Sequence, residues 1–284
     1  MTAWLKAGNT AVVTGGGNGI GRAAAERFVQ VGMNVVIADL NAEALSAAQA
    51  HLKAMPGGAD RVLAHVCDVS KPAEVEALRD AAADRFGPVH CLMNNAGISR
   101  RIQTPWDDPE TMRLLMEVNL WGVINGCCAF IPAMLEHGEA AAVINTGSKQ
   151  GITRPPGNAA YNMSKAGVLT YTEAVAHAFR NLEGCQVQAH LLVPGFVYSN
   201  MIASFLPDKP PGAFTSEETI DFMLSALAAG DFYIICPDNE TDRATDEKRM
   251  QWTADDVIKN RPALSRWHPD YEDAFAAFMK GSND

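Results

Sequence analysis

The sequence predicts an α/β fold built from βαβ units, and three observations carry that prediction. Short apolar runs alternate with helical stretches of about 10–15 residues from Asn9 to Cys236. A glycine-rich turn, Gly15–Gly21, separates the first apolar run from the first helix. The second run ends in an acid, Asp39, which comes 18 residues after Gly21.

Asn9–Thr14 (N-T-A-V-V-T) reads as a short buried strand. The helix after the turn places Ile20, Ala24, Phe28 and Val31 on one stripe. Strand, glycine turn and helix together make a phosphate site physically sensible. Glycines let the backbone turn sharply and approach a pyrophosphate, and a helix N-terminus favours an anion. The spacing is T-G-x-x-x-G-x-G (Thr14, Gly15, Gly19, Gly21), not strict G-x-G-x-x-G, because position 20 is Ile. Gly15, Asn18, Gly19 and Ile20 are its candidate cofactor contacts. The second strand, Asn34–Ala38, delivers Asp39, placed to accept from the adenosine ribose hydroxyls of a dinucleotide. A carboxylate there repels a 2′-phosphate, and neither Leu40 nor Asn18 is basic. These points favour NAD over NADP.

Asn41–Met55 reads as an Ala-rich helix ended by Pro56–Gly58, and Arg61–Val66 as a third strand leading to Cys67–Val69. Ser70 or a neighbour caps the next helix, with Pro72 in its first turn; Gly87-Pro88 ends it after Phe86. Val89–Met93 is a fourth strand and runs into N-N-A-G, Asn94–Gly97. One long helix is expected over Asp107–Glu136, kinked near its end by Pro132. Asn119 lies inside its apolar stretch and needs a partner there, a neighbouring backbone being the simplest.

Ala140–Thr146, the fifth strand, delivers Gly147 and Ser148, which suits a hydroxyl presented at a strand's carboxyl end. Ala159–Leu182 is a helix that carries Tyr161 and Lys165, four apart, on one face. An ammonium beside a phenol is expected to lower the phenol pKa from its reference of about 10, which suits a proton carrier. Between them, Thr153–Pro156 is a candidate wall of a substrate pocket. Val187–Val193 is the sixth strand, followed by Pro194–Met201. The loop from about 196 to 214, with Met201, Ile202, Phe205 and Leu206, reads as an apolar lid. Thr215–Ala229 is a helix with Thr215 or Ser216 as N-cap and Glu218 completing a capping box. Phe232–Cys236 is a seventh strand.

Residues 1–236 thus form one domain, and 237–284 an extension. Pro237–Met250 is charged. Two short helices are expected near Thr253–Asn260 and Tyr271–Met279. Trp252, Trp267, Tyr271, Phe275 and Phe278 imply packing on the chain's own subunit or a neighbour rather than a free tail.

The net charge of −10 argues against a general nucleic-acid or anionic-membrane binder. Six cysteines without a Cys-x-x-Cys pair read as reduced thiols of an intracellular, cytoplasmic protein. The seven histidines show no ligand-like spacing, so no catalytic metal is expected. Neither a signal peptide nor an apolar run approaching 18 residues is read, so no membrane span is expected.

Taken together and in order, T-G-G-G-N-G-I-G (14–21), Asp39, C-D-V (67–69), N-N-A-G (94–97), Asn119, Ser148, Y-N-M-S-K (161–165) and P-G (194–195) resemble the short-chain dehydrogenase/reductase family over about residues 8–236. The resemblance implies a Rossmann-type, doubly wound, parallel seven-stranded sheet with helices on both faces, and NAD at the strands' carboxyl ends. It implies an oxidoreductase that interconverts a secondary alcohol and a ketone. By the same resemblance Tyr161 is the general acid/base, Lys165 lowers its pKa and bonds the nicotinamide ribose, Ser148 steadies the substrate oxygen, and Asn119 holds a water in a proton relay. Asp68 and Val69 flank the adenine, and Asn95, Ala96 and Gly97 line the cofactor cleft. Pro194, Val197 and Ser199 face the carboxamide end, with Ser199 where the family usually has Thr.

The apolar lid favours a bulky hydrophobic or aromatic substrate. Arg100, Arg101 and Arg154 read as solvated, with an anion contact as the alternative. A homodimer or homotetramer is implied, through the helices at 107–136 and 160–182, although the extension puts the usual tetramer in doubt. A non-catalytic dinucleotide-binding regulator is the competing reading; the presence of Ser148, Tyr161 and Lys165 weighs against it. The glycine spacing and short core speak against a sugar-nucleotide epimerase.

Overall fold

The computed structural model of the protein describes residues 2–102, 104–199, 206 and 208–281. Its strands are β1 (Thr10–Thr14), β2 (Asn34–Asp39), β3 (Val62–Val66), β4 (Val89–Asn94), β5 (Ala141–Thr146), β6 (Val187–Val193) and β7 (Tyr233–Ile235). They form a seven-stranded sheet in the order β3-β2-β1-β4-β5-β6-β7, every pair parallel. The expected doubly wound sheet is therefore the one observed.

Alternation along the strands divides the core. Val13, Ile37, Met93, Ile144 and Leu192 point to one face, covered by α1 (Gly19–Val31), α2 (Ala42–Ala54) and α8 (Ser216–Ala229). Val12, Val36, Leu92, Val143 and Leu191 point to the other, under α3 (Pro72–Phe86), α5 (Gly122–Glu136) and α7 (Ala159–Arg180). Burial on both faces is why these strands read as continuous apolar runs. Each such aliphatic side chain contributes roughly 1.5–3 kcal/mol on burial. After β3 the chain crosses to the other side of β1 to form β4, which opens a crevice beyond the carboxyl ends of β1 and β4.

The long helix expected over 107–136 is interrupted. Asp108 caps α4 (Pro109–Met116) through its side chain, a π turn spans Glu117–Trp121, and α5 runs on through Pro132 to Glu136. The irregular turn lies at Asn119, where the sequence puts a kink at Pro132. By length and composition Pro109–Glu136, which contains an 18-residue window of mean hydropathy 1.6, is apolar enough to cross a membrane. Short polar interruptions hide this in a count of consecutive apolar residues. Packing accounts for the apolarity: Val123, Cys127, Phe130 and Met134 are buried against the sheet.

A short helix absent from the sequence reading, α6 (Gln150–Thr153), follows Ser148. Thr215 caps α8 in a complete capping box with Glu218, as read. The helix at 72 has Lys71, the neighbour of Ser70, at its capping position and Pro72 in its first turn, as read, although Lys71 makes no side-chain cap bond.

The extension departs most from its prediction. The charged stretch belongs to a helix, α9 (Arg243–Ile258), capped by Asp242, and α10 (Glu272–Lys280) follows. Its charges have fixed partners: Arg243 pairs with Glu247 across one turn, and Asp246 turns inward. Trp252 is the centre of this unit, 4% exposed. Its indole N–H donates to Ser265 Oγ at 2.8 Å, Arg261 stacks 3.9 Å from its ring centre, and Phe275 and Phe278 lie at 5.2 Å. The extension packs on its own chain, with α9 against α6. Trp252→Ala should therefore cost about 3–5 kcal/mol of local stability. The check is amide exchange: opening confined to residues 243–280, with the central strands unchanged.

Candidate active site

Four loops at the carboxyl ends of the strands surround a cleft of about 470 Å³. The turn after β1 contributes Gly15, Asn18, Gly19 and Ile20, and β2 contributes Asp39. The segment after β4 contributes Asn95, Ala96 and Gly97; the loop after β5 contributes Ser148, Lys149 and Gln150. Pro194, Val197 and Ser199 line it from the loop after β6, and α7 adds Tyr161 and Lys165. Ser148 and Tyr161 are thirteen positions apart in sequence, yet both line this cleft, and the Ser148 hydroxyl is close enough to act on the Tyr161 phenol.

The glycine turn is forced by close contacts. Gly15 has φ +66°, and a Cβ on it would lie 2.8 Å from Ala96 Cα. A Cβ on Gly21 would lie 2.3 Å from the Gly15 carbonyl oxygen. No larger residue fits either position without moving backbone. Thr14 ties this turn to β4: its hydroxyl accepts from the Asn95 and Ala96 amides at 3.0 and 3.1 Å. Helix α1 has no acidic residue in its first turn, so its positive end meets the cleft uncompensated. Asp39 accepts from the Gly17 amide at 3.0 Å and from the Asn41 amide at 3.0 Å. Each of its oxygens keeps a further lone pair for a hydroxyl donor.

Lys165 is 4% exposed, and its Nζ donates to the Thr146 carbonyl at 2.8 Å. Burial pushes its pKa down to about 8. Tyr161 does not follow the sequence expectation. Burial raises its phenol pKa, and the Ser148 hydrogen bond opposes this only in part. The Lys165 ammonium sits 5.8 Å from the centre of the Tyr161 ring and is engaged by Thr146. In this arrangement desolvation of the phenolate outweighs the neighbouring cation.

Asn119 is completely buried beside the cleft. Its Oδ1 accepts from the Ile98 amide at 2.8 Å, and its Nδ2 donates to the Ile98 carbonyl at 2.9 Å and to Ser164 Oγ at 3.3 Å. Its side chain clamps the backbone just past Gly97, the partner expected of a buried helical Asn. Asp68 and Val69 stand outside the cleft lining. The Asp68 carboxylate accepts from the Ser70 amide and hydroxyl, at 3.0 and 2.6 Å. Val69 packs against Gly122. Thr153–Pro156 also stay out of the lining, which α6 supplies instead through Gln150. Arg100, Arg101 and Arg154 are exposed.

Of the lid, the Phe214 amide donates to the Phe196 carbonyl and its carbonyl accepts from the Tyr198 amide, both at 2.8 Å, and the Tyr198 hydroxyl donates to the Leu206 carbonyl at 3.1 Å. Met201, Ile202 and Phe205 lie outside the described residues. Among the described residues, no group of three or more His, Cys, Asp or Glu could hold a metal ion.

Two features escaped the sequence. One is a buried amide chain beneath the site: Asn94 donates to Asn145 at 2.9 Å, and Asn145 to Thr172 at 3.0 Å. It joins β4, β5 and α7, and Gly126 leaves room for it, since a Cβ there would lie 2.1 Å from Asn94 Oδ1. The other is Lys149, a cation in the cleft wall. No local pattern marks it, because its acidic partners lie 89 and 97 positions later.

The short chain dehydrogenase family model matches residues 9–210. The chain belongs to that family. It is 36% identical over 263 residues to 1-deoxy-11-beta-hydroxypentalenate dehydrogenase of Streptomyces exfoliatus, covering 90% of this chain and 93% of that protein. It is 34% identical over 196 residues to 3beta-hydroxysteroid dehydrogenase 2 of Eggerthella lenta, covering 69% of this chain and 73% of that one. The crystal structure of a short chain dehydrogenase/reductase from Burkholderia phymatum in complex with NAD superposes with a TM-score of 0.81 at 30% identity, covering 91% and 96% of the two chains. The chain presents its cleft at the carboxyl edge of a parallel sheet.

Proposed function

We propose that the chain is an NAD-dependent oxidoreductase that interconverts a secondary alcohol and a ketone, with Tyr161 carrying the proton. The observation that carries this reading is the convergence of Ser148, Tyr161 and Lys165 in the same cleft that holds Asp39 and the glycine turn. A dinucleotide fits the residues present. The tight Gly15–Gly21 turn lines the cleft through Gly15, Asn18, Gly19 and Ile20, and the Asp39 carboxylate has acceptor capacity left for ribose hydroxyls. Asn95, Ala96 and Gly97 border the middle of the cleft, and Pro194, Val197 and Ser199 its far end. Bound NAD supplies the hydride acceptor, and NADH the donor in reverse.

In oxidation Tyr161 takes the hydroxyl proton as hydride leaves the carbinol carbon; in reduction it returns that proton to the carbonyl oxygen. Ser148 holds the same oxygen by a hydrogen bond. Lys165 fixes the β5 end through Thr146 and is placed to bond a ribose hydroxyl. Asn119 keeps the segment after Gly97 in place through its bonds to the Ile98 backbone. The raised phenol pKa favours the neutral form at neutral pH, the form that donates to a ketone.

A bulky apolar substrate is the class we assign, supported by the named action of one relative on a hydroxysteroid and by the Met- and Phe-rich loop at 196–214. Exposed Leu114, Trp121 and Met163 support self-association through α4 and α7, as a homodimer or homotetramer. Six free thiols support a cytoplasmic setting.

Asp39→Ala tests the cofactor assignment. Loss of a charge-assisted acceptor should lower kcat/KM with NAD by about tenfold or more, and the preference for NAD over NADP should fall with it. Equal rates with both cofactors in the unaltered protein would contradict the role of Asp39.

A further inference from the structure

We propose that Lys149 is a positioning residue through which the C-terminal extension sets the geometry of the two loops that flank the reacting groups. The proposal rests on the oxidoreductase reading above. Lys149 follows Ser148 directly. Its Nζ lies 2.6 Å from Asp246 Oδ2 on α9 and 3.4 Å from Asp238 Oδ2, just past β7. That same Asp238 oxygen accepts from the Phe196 amide at 3.4 Å. Gly195 is wedged against the pair: a Cβ on it would lie 2.8 Å from Asp238 Oδ2 and 2.9 Å from Lys149 Nζ. The Lys149 amide donates to the Pro194 carbonyl at 3.3 Å, and its carbonyl accepts from the Thr153 amide at 2.9 Å and hydroxyl at 3.1 Å. One ammonium therefore joins the loop after β5, the Pro194-Gly195 turn after β6, the segment after β7 and the extension.

The cluster is shielded from water. The side chains of Lys149, Asp238 and Asp246 are 14%, 10% and 3% exposed. Burial works against ionisation of Asp246, and Lys149 is the chief group that opposes it; Arg249 adds to that field. Arg266 feels the charges of Asp246 and Arg249. Removing one partner leaves a buried charge less well compensated, so loss of one contact weakens the others. Two carboxylates already engage the Lys149 charge, which makes it a brace rather than an anion receptor. What the brace holds is the Ser148 hydroxyl and the Pro194-Gly195 wall. A small displacement of such groups reduces turnover far more than it reduces cofactor binding.

The test compares full-length Lys149→Met, Asp246→Asn and Lys149→Arg with the unaltered chain. Hydrogen–deuterium exchange without substrate reads the loops directly, so the proposal can fail while the oxidoreductase reading stands, and the reverse. Lys149→Met and Asp246→Asn should raise exchange in peptides covering 148–153 and 194–199. They should also lower kcat by about tenfold on any alcohol the unaltered chain oxidises, with KM for NAD within about twofold. Lys149→Arg should restore both readouts. If Lys149→Met fails to fold, Asp246→Asn carries the test, because it leaves the Lys149–Asp238 pair in place. Exchange that rises only within 237–281, or kcat within about twofold of the unaltered chain in Asp246→Asn, would overturn the proposal.

Discussion

Tyr161→Phe should lower kcat by about 10³-fold or more, the range expected when a general acid/base is removed, while NADH binding stays within about threefold. The substitution deletes one oxygen and keeps the ring, so packing around α7 is preserved. Ser148 keeps its second contact, accepting from the Gln150 amide at 3.2 Å, and stays in place. Neither the glycine turn nor Asp39 touches this hydroxyl. Activity and cofactor affinity should therefore separate, with loss of the first and survival of the second. The pH dependence gives a further check. Because burial raises the Tyr161 pKa, alcohol oxidation, which needs the phenolate as base, should accelerate as pH rises above neutrality. Ketone reduction, which needs the phenol, should slow over the same range. Retention of most activity by Tyr161→Phe would mean that another group moves the proton.

Lys165→Met should lower kcat by about 10²-fold and should also change how stability depends on pH. Burial holds this ammonium at a pKa of about 8, against 10.5 in a solvated chain. Below pH 8 both folded and unfolded chains carry the proton, and the folded chain bears the full cost of burying the charge. Between about pH 8 and 10.5 the folded chain has released the proton while the unfolded chain still holds it. The unfolded state then binds more protons, so this residue's contribution to stability rises with pH across that window. The gain should approach about 3 kcal/mol. The difference in unfolding free energy between the unaltered chain and Lys165→Met, followed by urea denaturation from pH 7 to 10.5, isolates it. A flat difference would show that Lys165 is not held in a desolvated site. The Thr146 carbonyl, which loses its 2.8 Å donor in the variant, offsets part of the relief at low pH but does not titrate.

Much of this site is legible in the sequence because its parts are local. The turn at 14–21 declares itself through glycines that backbone contacts require. Asp39 is marked by its place at a strand end, and Tyr161 and Lys165 by helical spacing. What the sequence hides depends on contacts between distant segments. Lys149 looks like any lysine until Asp238 and Asp246 are brought to it by the end of β7 and by α9. The charged stretch at 237–250 shows no helix in the sequence because charge alone does not reveal that Asp246 faces inward while Arg243 and Glu247 pair outside. The direction of the Tyr161 shift is hidden for a related reason. Residue spacing reports that a cation is near, but not that the phenol is buried or that the ammonium is already engaged by Thr146. The π turn at Glu117–Trp121 leaves no mark in apolar periodicity, yet it is where Asn119 reaches the Ile98 backbone.

The most direct test of the account is a panel of secondary alcohols and ketones, from small polar to bulky apolar, followed by NADH absorbance in both directions with NADP(H) in parallel. The account predicts turnover of bulky apolar members with NAD, at least about tenfold slower turnover with NADP, and loss of both in Tyr161→Phe. Tight NADH binding without turnover of any alcohol or ketone, or an equal or greater rate with NADP, would contradict it.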